Sequence, residues 1–227
     1  MTGSPLSLAG RTALVTAGPT WVPLDGVRYL TNFSSGDTGL RIARALARAG
    51  AAATLLFGPG RVSPTRSDRR RLRILDFVTF DDLSALLDRE LAARRWDVIV
   101  HAAAVADYGP AELVAGKLPS SLPELILRLR PLPKLRERIR ASQPAALFVG
   151  FKLEVGQDPG ALAEAGSRHC HAWGADLLVA NDLATFADGR APALLLDRNG
   201  VIARVEERAA LARRLVREIA LRLGRER

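Results

Sequence analysis

Asn32, Ser34, Ser35 and Gly36 stand together in the run Asn32-Phe33-Ser34-Ser35-Gly36, just ahead of a helical pattern, and Gly18 ends an apolar run upstream of them. A strand that hands the chain through a glycine-rich loop to a helix N-terminus builds an anion site, because backbone N–H groups converge there and the helix dipole adds positive potential. The Asn32 amide can donate to a developing oxyanion or position a nucleophile; an Asx-turn or a helix cap uses the same residue type. Ser34, Ser35 and Gly36 suit either a cap or a phosphate nest. Asp37 is the awkward neighbour: it complements the helix dipole, yet it repels an arriving phosphate. Residues 14–39 read LVTAGPTWVPLDGVRYLTNFSSGDTG. The dinucleotide fingerprint G-x-G-x-x-G is absent from this strand-to-helix segment, which points away from a routine dehydrogenase.

Three further groups carry chemistry. Ala102, Ala103 and Ala104 are small side chains at a strand end, where a planar base or a sugar can approach the backbone, and Asp107 follows them. Asp107 can hydrogen-bond a base or ribose, hold a metal through water, or initiate the turn into Gly109-Pro110. Lys117 lies in a Gly-, Pro- and Ser-rich stretch, residues 109–123, that reads as an exposed and mobile flap. A lysine on a flap can close over a triphosphate. Phe151-Lys152 sets an aromatic face beside a cation after another strand, and Asn181-Asp182 ends a fourth. Of 33 basic residues only Lys117, Lys134 and Lys152 are lysine. In a chain that otherwise uses arginine, a lysine marks a place where a compact, flexible ammonium is wanted. His101 reads as a satisfied core or interface histidine. His169-Cys170-His171 looks metal-like, but neighbours on a helix point in different directions, so no metal ligands are assigned.

These residues need a scaffold that gathers strand ends. Apolar runs suited to buried strands occupy residues 12–17, 52–57, 97–104, 146–151 and 176–180, and helical periodicity fills 38–49, 81–94, 132–141, 159–173 and 206–223. Such alternation predicts a mainly parallel sheet between helical layers, with ligands beyond the carboxyl ends of the strands. Residues 194–205 read as a small β-hairpin around Asn199-Gly200. No repeat or linker interrupts the pattern, so a single domain over residues 1–227 is expected, with flexible ends at 1–10 and 224–227.

Composition narrows the classes. A hydrophobic fraction of 48% suits a packed core, and one cysteine excludes a disulfide framework and fits a cytoplasmic setting. No apolar run approaches the roughly 20 residues of a membrane span. The formal net charge of +9 favours anionic partners. The charges are dispersed, apart from residues 66–73, and aromatics make up only 5%, so small phosphorylated ligands fit better than nucleic acid.

Taken together, Thr16-Ala17-Gly18-Pro19-Thr20, Pro23-Leu24-Asp25, Val27-Arg28-Tyr29, Asn32-Phe33-Ser34-Ser35-Gly36, the Ala102–Tyr108 segment, Lys117, Gly150-Phe151-Lys152-Leu153-Glu154 and Val179-Ala180-Asn181-Asp182 resemble the phosphopantothenoylcysteine synthetase family in order and spacing. The resemblance covers roughly residues 11–223. It implies an α/β, Rossmann-like three-layer fold with a small added hairpin, acting as a homodimer. It also implies a ligase of coenzyme A biosynthesis that activates the carboxylate of 4′-phosphopantothenate with a nucleoside triphosphate, CTP ahead of ATP, assisted by Mg²⁺, and then forms an amide with cysteine. On that likeness Asn32 and Lys117 are catalytic; Gly18, Ser34, Ser35 and Gly36 hold phosphate; Ala103, Asp107, Phe151, Lys152 and Asn181 border the nucleotide. Nothing before Arg11 resembles the flavin-dependent decarboxylase half of the fused enzymes, so a monofunctional ligase is expected. An NAD(P)-dependent oxidoreductase and a non-catalytic nucleotide-binding paralogue are the competing readings. The first lacks G-x-G-x-x-G, an acidic residue after the second strand, and a Tyr-x-x-x-Lys pair.

Overall fold

The computed structural model describes residues 7–121, 123–187 and 190–225. In chain order its first elements are β1 (Thr12–Ala17), β2 (Trp21–Pro23), β3 (Tyr29–Thr31), α1 (Asp37–Arg48), β4 (Ala52–Phe57), α2 (Arg66–Arg71), β5 (Arg73–Asp76), α3 (Phe80–Ala93) and β6 (Val98–His101). They are followed by β7 (Tyr108–Pro110), β8 (Leu129–Pro131), α4 (Leu135–Ser142), β9 (Leu147–Glu154), α5 (Pro159–Ala172), β10 (Leu177–Asp182), β11 (Ala193–Asp197), β12 (Gly200–Val205) and α6 (Arg208–Arg225).

The main sheet has eight strands in the order β12-β11-β10-β9-β6-β1-β4-β5. β5 through β10 in that order are parallel, and the β11–β12 hairpin extends the edge antiparallel. The central strands are mostly apolar because both faces are covered, with Thr16 and Thr54 the buried polar exceptions in β1 and β4. Alternation sends Val15, Leu55, Val100, Val149 and Val179 to one core with Leu40 and Leu46 of α1 and Leu215 and Ile219 of α6. Leu14, Leu56, Ile99, Phe148 and Leu178 face the other, against Leu83 and Leu87 of α3, Leu135 and Ile139 of α4, and Leu162 of α5. The result is the three-layer, Rossmann-like α/β arrangement expected from the sequence, hairpin included. No helix among the described residues is long and apolar enough to cross a membrane.

Several boundaries differ from the sequence expectations for physical reasons. β6 stops at His101 rather than 104, and β9 runs on to Glu154, because β10 keeps pairing with it as far as Asp182 opposite Glu154. Lys152 therefore stands on a strand, not in a loop. α4 starts at Leu135 instead of 132, because Pro133 disfavours helical backbone at Leu132 and Lys134 takes an extended N-cap conformation. The arginine cluster at residues 66–73 is no loose basic patch. It forms α2 under a Thr65–Asp68 capping box, with Asp68 bound by Arg44 at 2.6 and 2.7 Å, and then β5. Two small hairpins, β2–β3 and β7–β8, were not expected. Of the expected flexible ends, residues 1–6 and 226–227 lie outside the described residues. Leu8 is buried and its N–H bonds to the Ala49 carbonyl, and α6 continues to Arg225.

The first turn of α1 presses directly on the end of β1. A Cβ added at Gly39 would overlap that of Ala17, and one added at Gly18 would stand 2.8 Å from the Gly58 carbonyl. Gly39→Ala should therefore destabilise the chain by about 1–3 kcal/mol, the usual cost of overpacking, read as a lower urea midpoint at unchanged slope. Gly224→Ala, in open space on α6, should leave the midpoint unchanged or raise it slightly.

Candidate functional site

β1 connects to β4 on one side of the sheet while β6 lies on the other, so the β1–β6 boundary is the switch point where open α/β sheets bind ligands. Here that crevice is partly zipped. The Ala102 N–H bonds to the Thr16 carbonyl (3.1 Å), the Ala104 N–H to the Gly18 carbonyl (3.0 Å), and the Thr20 N–H to the Ala104 carbonyl (3.2 Å). The two chains thus run side by side past the strand ends, with only methyl side chains from Ala102 to Ala104 on one of them. The Gly18 carbonyl is thereby used in structure, and Gly18 lines neither of the two cavities described below. Binding space is displaced outward, onto the loops that follow.

Those loops carry an anion-competent helix end. Gly36 takes φ +78°, a left-handed conformation natural to glycine, and turns the chain into α1. Ser34 Oγ accepts from the Gly36 N–H (3.4 Å) and Ser35 Oγ from the Asp37 N–H (3.3 Å). No described side chain accepts from Thr38 or Gly39, whose residues face the larger cavity. Asp37 does not meet an incoming anion head-on: both its oxygens accept from Arg41 Nε at 2.8 Å, one turn along the helix. Arg61 stands beside this end, its neighbours Gly60 and Val62 lying against the Ser35 carbonyl, and Arg208 lines the same cavity, its guanidinium 5.3 Å from the centre of the Phe186 ring.

Two cavities share one wall. The first, of about 530 Å³, is bordered by His101, Asp107, Lys134, Arg136, His169 and Trp173. The second, of about 840 Å³, is bordered by Trp21, Tyr29, Ser34, Ser35, Arg61 and Arg208. Asn32, Phe33, Ala103, Ala104, Phe151 and Lys152 line both. Asn32 is oriented by its Nδ2, which donates to the Val105 carbonyl at 3.0 Å, so the amide nitrogen is identified by chemistry. Its Oδ1 and second N–H remain for a ligand.

Charge is compensated locally. Lys134 pairs with Asp107, and Lys152 lies 3.3 Å from Glu154. His101 is held neutral, its pKa pushed down to about 4 by burial and then by the nearby Arg136 charge. Its Nδ1 lies 2.9 Å from Thr16 Oγ1, which accepts from the Ala103 N–H at 3.1 Å. The Thr16 hydroxyl is buried and its proton has no other acceptor among the described residues, so Thr16 donates to Nδ1 and His101 carries its own proton on Nε2. Burial, and next the Lys152 charge, also lower His169. Among the described residues no three His, Cys, Asp or Glu side chains gather as a metal cage.

Ten of the eleven residues singled out from the sequence lie at the carboxyl edge, and all of these except Gly18 line one or both cavities. Asn181 lines the second, with its Nδ2 given to the Pro192 carbonyl at 2.9 Å. Lys117 lines neither. Its loop, read as mobile, is tied at both neighbours: the Gly26 N–H bonds to the Gly116 carbonyl at 2.6 Å, and the Leu118 N–H to Asp25 Oδ2 at 3.0 Å. Sequence reasoning passed over Arg61 and Arg208. A signal existed for Arg61, since Phe57-Gly58-Pro59-Gly60 repeats the strand–Gly–Pro pattern of Ala17-Gly18-Pro19. Arg208 carried none, being one arginine among many.

Residues 8–222 match the model of the DNA/pantothenate metabolism flavoprotein C-terminal domain. The coenzyme A biosynthesis bifunctional protein CoaBC of Thermococcus kodakarensis is 35% identical over 195 residues, covering 86% of this chain and 47% of that protein. The protein of the same name from Mycobacterium bovis is 35% identical over 196 residues, covering 82% of this chain and 44% of that one. The chain thus spans about half the length of these relatives. Among solved structures, the DNA/pantothenate metabolism flavoprotein from Streptococcus pneumoniae superposes with TM-score 0.81 at 24% identity, over 92% of this chain and 98% of that chain. A Cab2 H337A mutant in complex with phosphopantothenate-cysteine gives 0.76 at 20% identity, over 95% and 87%. At these identities the likeness shows the fold.

A histidine whose folded pKa lies below its unfolded value of 6.5 stabilises the fold fully above pH 6.5 and loses that contribution as pH falls towards about 4. The lowered aspartates titrate below their ordinary 3.8 and Glu90 below 4.5, so the carboxylates contribute little above pH 5. The urea midpoint should fall between pH 7 and pH 5, and His101→Gln should flatten that fall, with His169 accounting for the remainder. A pH-independent wild-type midpoint would contradict the neutral, buried assignment.

Proposed function

The chain belongs to the family of the DNA/pantothenate metabolism flavoprotein C-terminal domain, and on that premise we propose that it is a phosphopantothenate–cysteine ligase of coenzyme A biosynthesis, with CTP as its nucleotide. A carboxylate oxygen of 4′-phosphopantothenate attacks the α-phosphorus of CTP, and the bond to the bridging oxygen breaks to release pyrophosphate. The amine of cysteine then attacks the acyl carbon, expels CMP and gives up a proton, leaving the amide.

The observation that carries this reading is the meeting of two substrate-sized cavities on a shared wall at Asn32 and Lys152. A reaction that joins a carboxylate to a phosphorus needs its two substrates end to end, each with its own space, and positioning of that kind removes much of the barrier. The anion-competent end of the second cavity, formed by the start of α1 with Arg61 and Arg208, suits one phosphate group. Lys134, Arg136 and Lys152 suit negative charge in the first. The names of the relatives, coenzyme A biosynthesis and phosphopantothenate-cysteine, support the substrate class.

Asn32 keeps one N–H on the Val105 carbonyl, so its Oδ1 is available to accept from the attacking amine while the remaining N–H steadies the acyl oxygen. Lys117 stands at the tip of the β2–β3 hairpin, whose Trp21, Tyr29 and Thr31 line the second cavity, and from there its long side chain swings onto the triphosphate. Mg²⁺, when bound, would supply charge neutralisation on the departing pyrophosphate. No three acidic or histidine side chains gather as a cage among the described residues, and Asp107 at the first cavity is a carboxylate that would hold such an ion through water. Exposed Val27, Tyr29, Leu113, Ile126 and Leu129, on the two hairpins and the segment joining β7 to β8, support a homodimer through that face. Light scattering should give twice the chain mass.

With Mg²⁺, CTP, phosphopantothenate and cysteine, the purified chain should release pyrophosphate continuously, and fastest with CTP among the four nucleotides. Without cysteine, release should stop after about one equivalent. No release with any nucleotide would overturn the reading. Lys117→Ala should slow turnover by about hundredfold, the usual cost of one lost electrostatic contact in a transition state, while the chain stays folded; an unchanged rate would remove Lys117 from the mechanism.

A further inference from the structure

We propose that Asp25 is a positioning residue: it latches the Lys117 loop to the β2–β3 turn and so sets where the Lys117 ammonium can stand. The assignment to catalysis rests on the ligase reading; the latch itself rests on geometry. Asp25 lies in the turn between β2 and β3 with its side chain withdrawn from solvent. Oδ1 accepts from the Val27 N–H (2.8 Å) and the Arg28 N–H (2.7 Å), which closes the turn. Oδ2 accepts from Arg28 Nη1 (2.6 Å) and, across 93 residues of sequence, from the Leu118 N–H (3.0 Å). Arg28 Nη1 also reaches the Leu118 carbonyl (3.3 Å), and the Gly26 N–H bonds to the Gly116 carbonyl (2.6 Å). Both chain neighbours of Lys117 are thus held by one four-residue turn, while its own side chain is exposed and has no carboxylate partner among the described residues.

The chemistry of the hub explains why an ionised carboxylate is needed. Four donors converge on two oxygens, and a buried carboxylate is the side chain that offers only acceptors. The Val27 amide, with the Leu118 and Arg28 amides and the Arg28 charge, outweighs burial and holds the Asp25 carboxyl down at about 2. An asparagine in its place turns one oxygen into an NH₂ group, which must face another donor. Approach of the loop also needs the neighbouring glycine, because a Cβ on Gly26 would lie 2.9 Å from the Gly116 carbonyl oxygen.

The three-lysine composition makes the latch directly measurable. A protease specific for lysine can cut this chain only after Lys117, Lys134 and Lys152. Lys134 caps α4 and is paired with Asp107, and Lys152 lies within β9. Native-state digestion should therefore report the 117–118 bond, cut slowly in the wild type. Asp25→Asn and, independently, Gly26→Ala should each speed that cut by about tenfold or more, with Lys134 and Lys152 still protected. Unchanged cleavage at 117–118 in both variants would overturn the latch whatever the chain's activity. If Asp25→Asn exposes all three lysines, it has unfolded, and Gly26→Ala then decides. In the pyrophosphate assay, Asp25→Asn should lower kcat with the KM for cysteine unchanged. Faster cleavage with an unchanged kcat would overturn the positioning role and leave a purely structural tie. A wild type inactive with all nucleotides would sink the ligase reading alone, because cleavage is read without turnover.

Discussion

The close approach of α1 to the end of β1, with Gly39 lying against Ala17, is the constraint on which the site depends. A helix can point its first amides at a ligand beyond a strand end only if its backbone comes nearer the strand than a Cβ allows. Gly18 against Gly58 repeats the condition one strand over, bringing the loop after β4 into the same corner. From this packing follow the left-handed turn at Gly36, the serine-capped loop before α1, and the free amides of Thr38 and Gly39 at the larger cavity. Close-packed interiors have no slack with which to restore this aim once it is lost.

Backbone pairing also decides where the ligand does not go. In open α/β sheets the switch-point crevice itself usually takes the ligand. Here β1 and the segment after β6 stay hydrogen-bonded through Ala104, and the space moves out to two cavities that meet at Asn32. Lys134 and Lys152 are pre-paired, with Asp107 and Glu154, and Asp37 is paired with Arg41, while Arg61 and Arg208 have no carboxylate partner among the described residues. Such partly exposed pairs contribute little to stability. Their consequence is that at the two lysines an anionic ligand exchanges one partner for another, whereas at Arg61 and Arg208 it meets unpaired charge. Asp37, a contradiction for an anion site when read alone, is consistent once Arg41 takes its charge.

Much of this was legible in the sequence where the signal is local. β1 and β4 match their apolar runs at residues 12–17 and 52–57, because strands buried on both faces must be largely apolar. Asn32, Ser34, Ser35, Ala103, Asp107, Phe151, Lys152 and Asn181 do come together, since a parallel sheet collects its strand ends on one edge. What escaped reading is non-local. The tie from Asp25 to Leu118 spans the chain and leaves no periodicity, so residues 109–123 looked free. α2 and β5 hid inside an arginine cluster whose order comes from one buried carboxylate, Asp68, bound to Arg44 on another helix. The β2–β3 and β7–β8 strands, three residues each, are too short for an alternation pattern.

The proposed ligase reaction requires two substrates to react end to end at Asn32, carboxylate oxygen to α-phosphorus. Phosphopantothenate carrying ¹⁸O in both carboxyl oxygens, turned over with CTP and cysteine and read by mass spectrometry, tests that bond directly. One ¹⁸O atom should appear in CMP for every amide formed, with the other retained in the amide. Label recovered in inorganic phosphate, or CMP free of label, would contradict it.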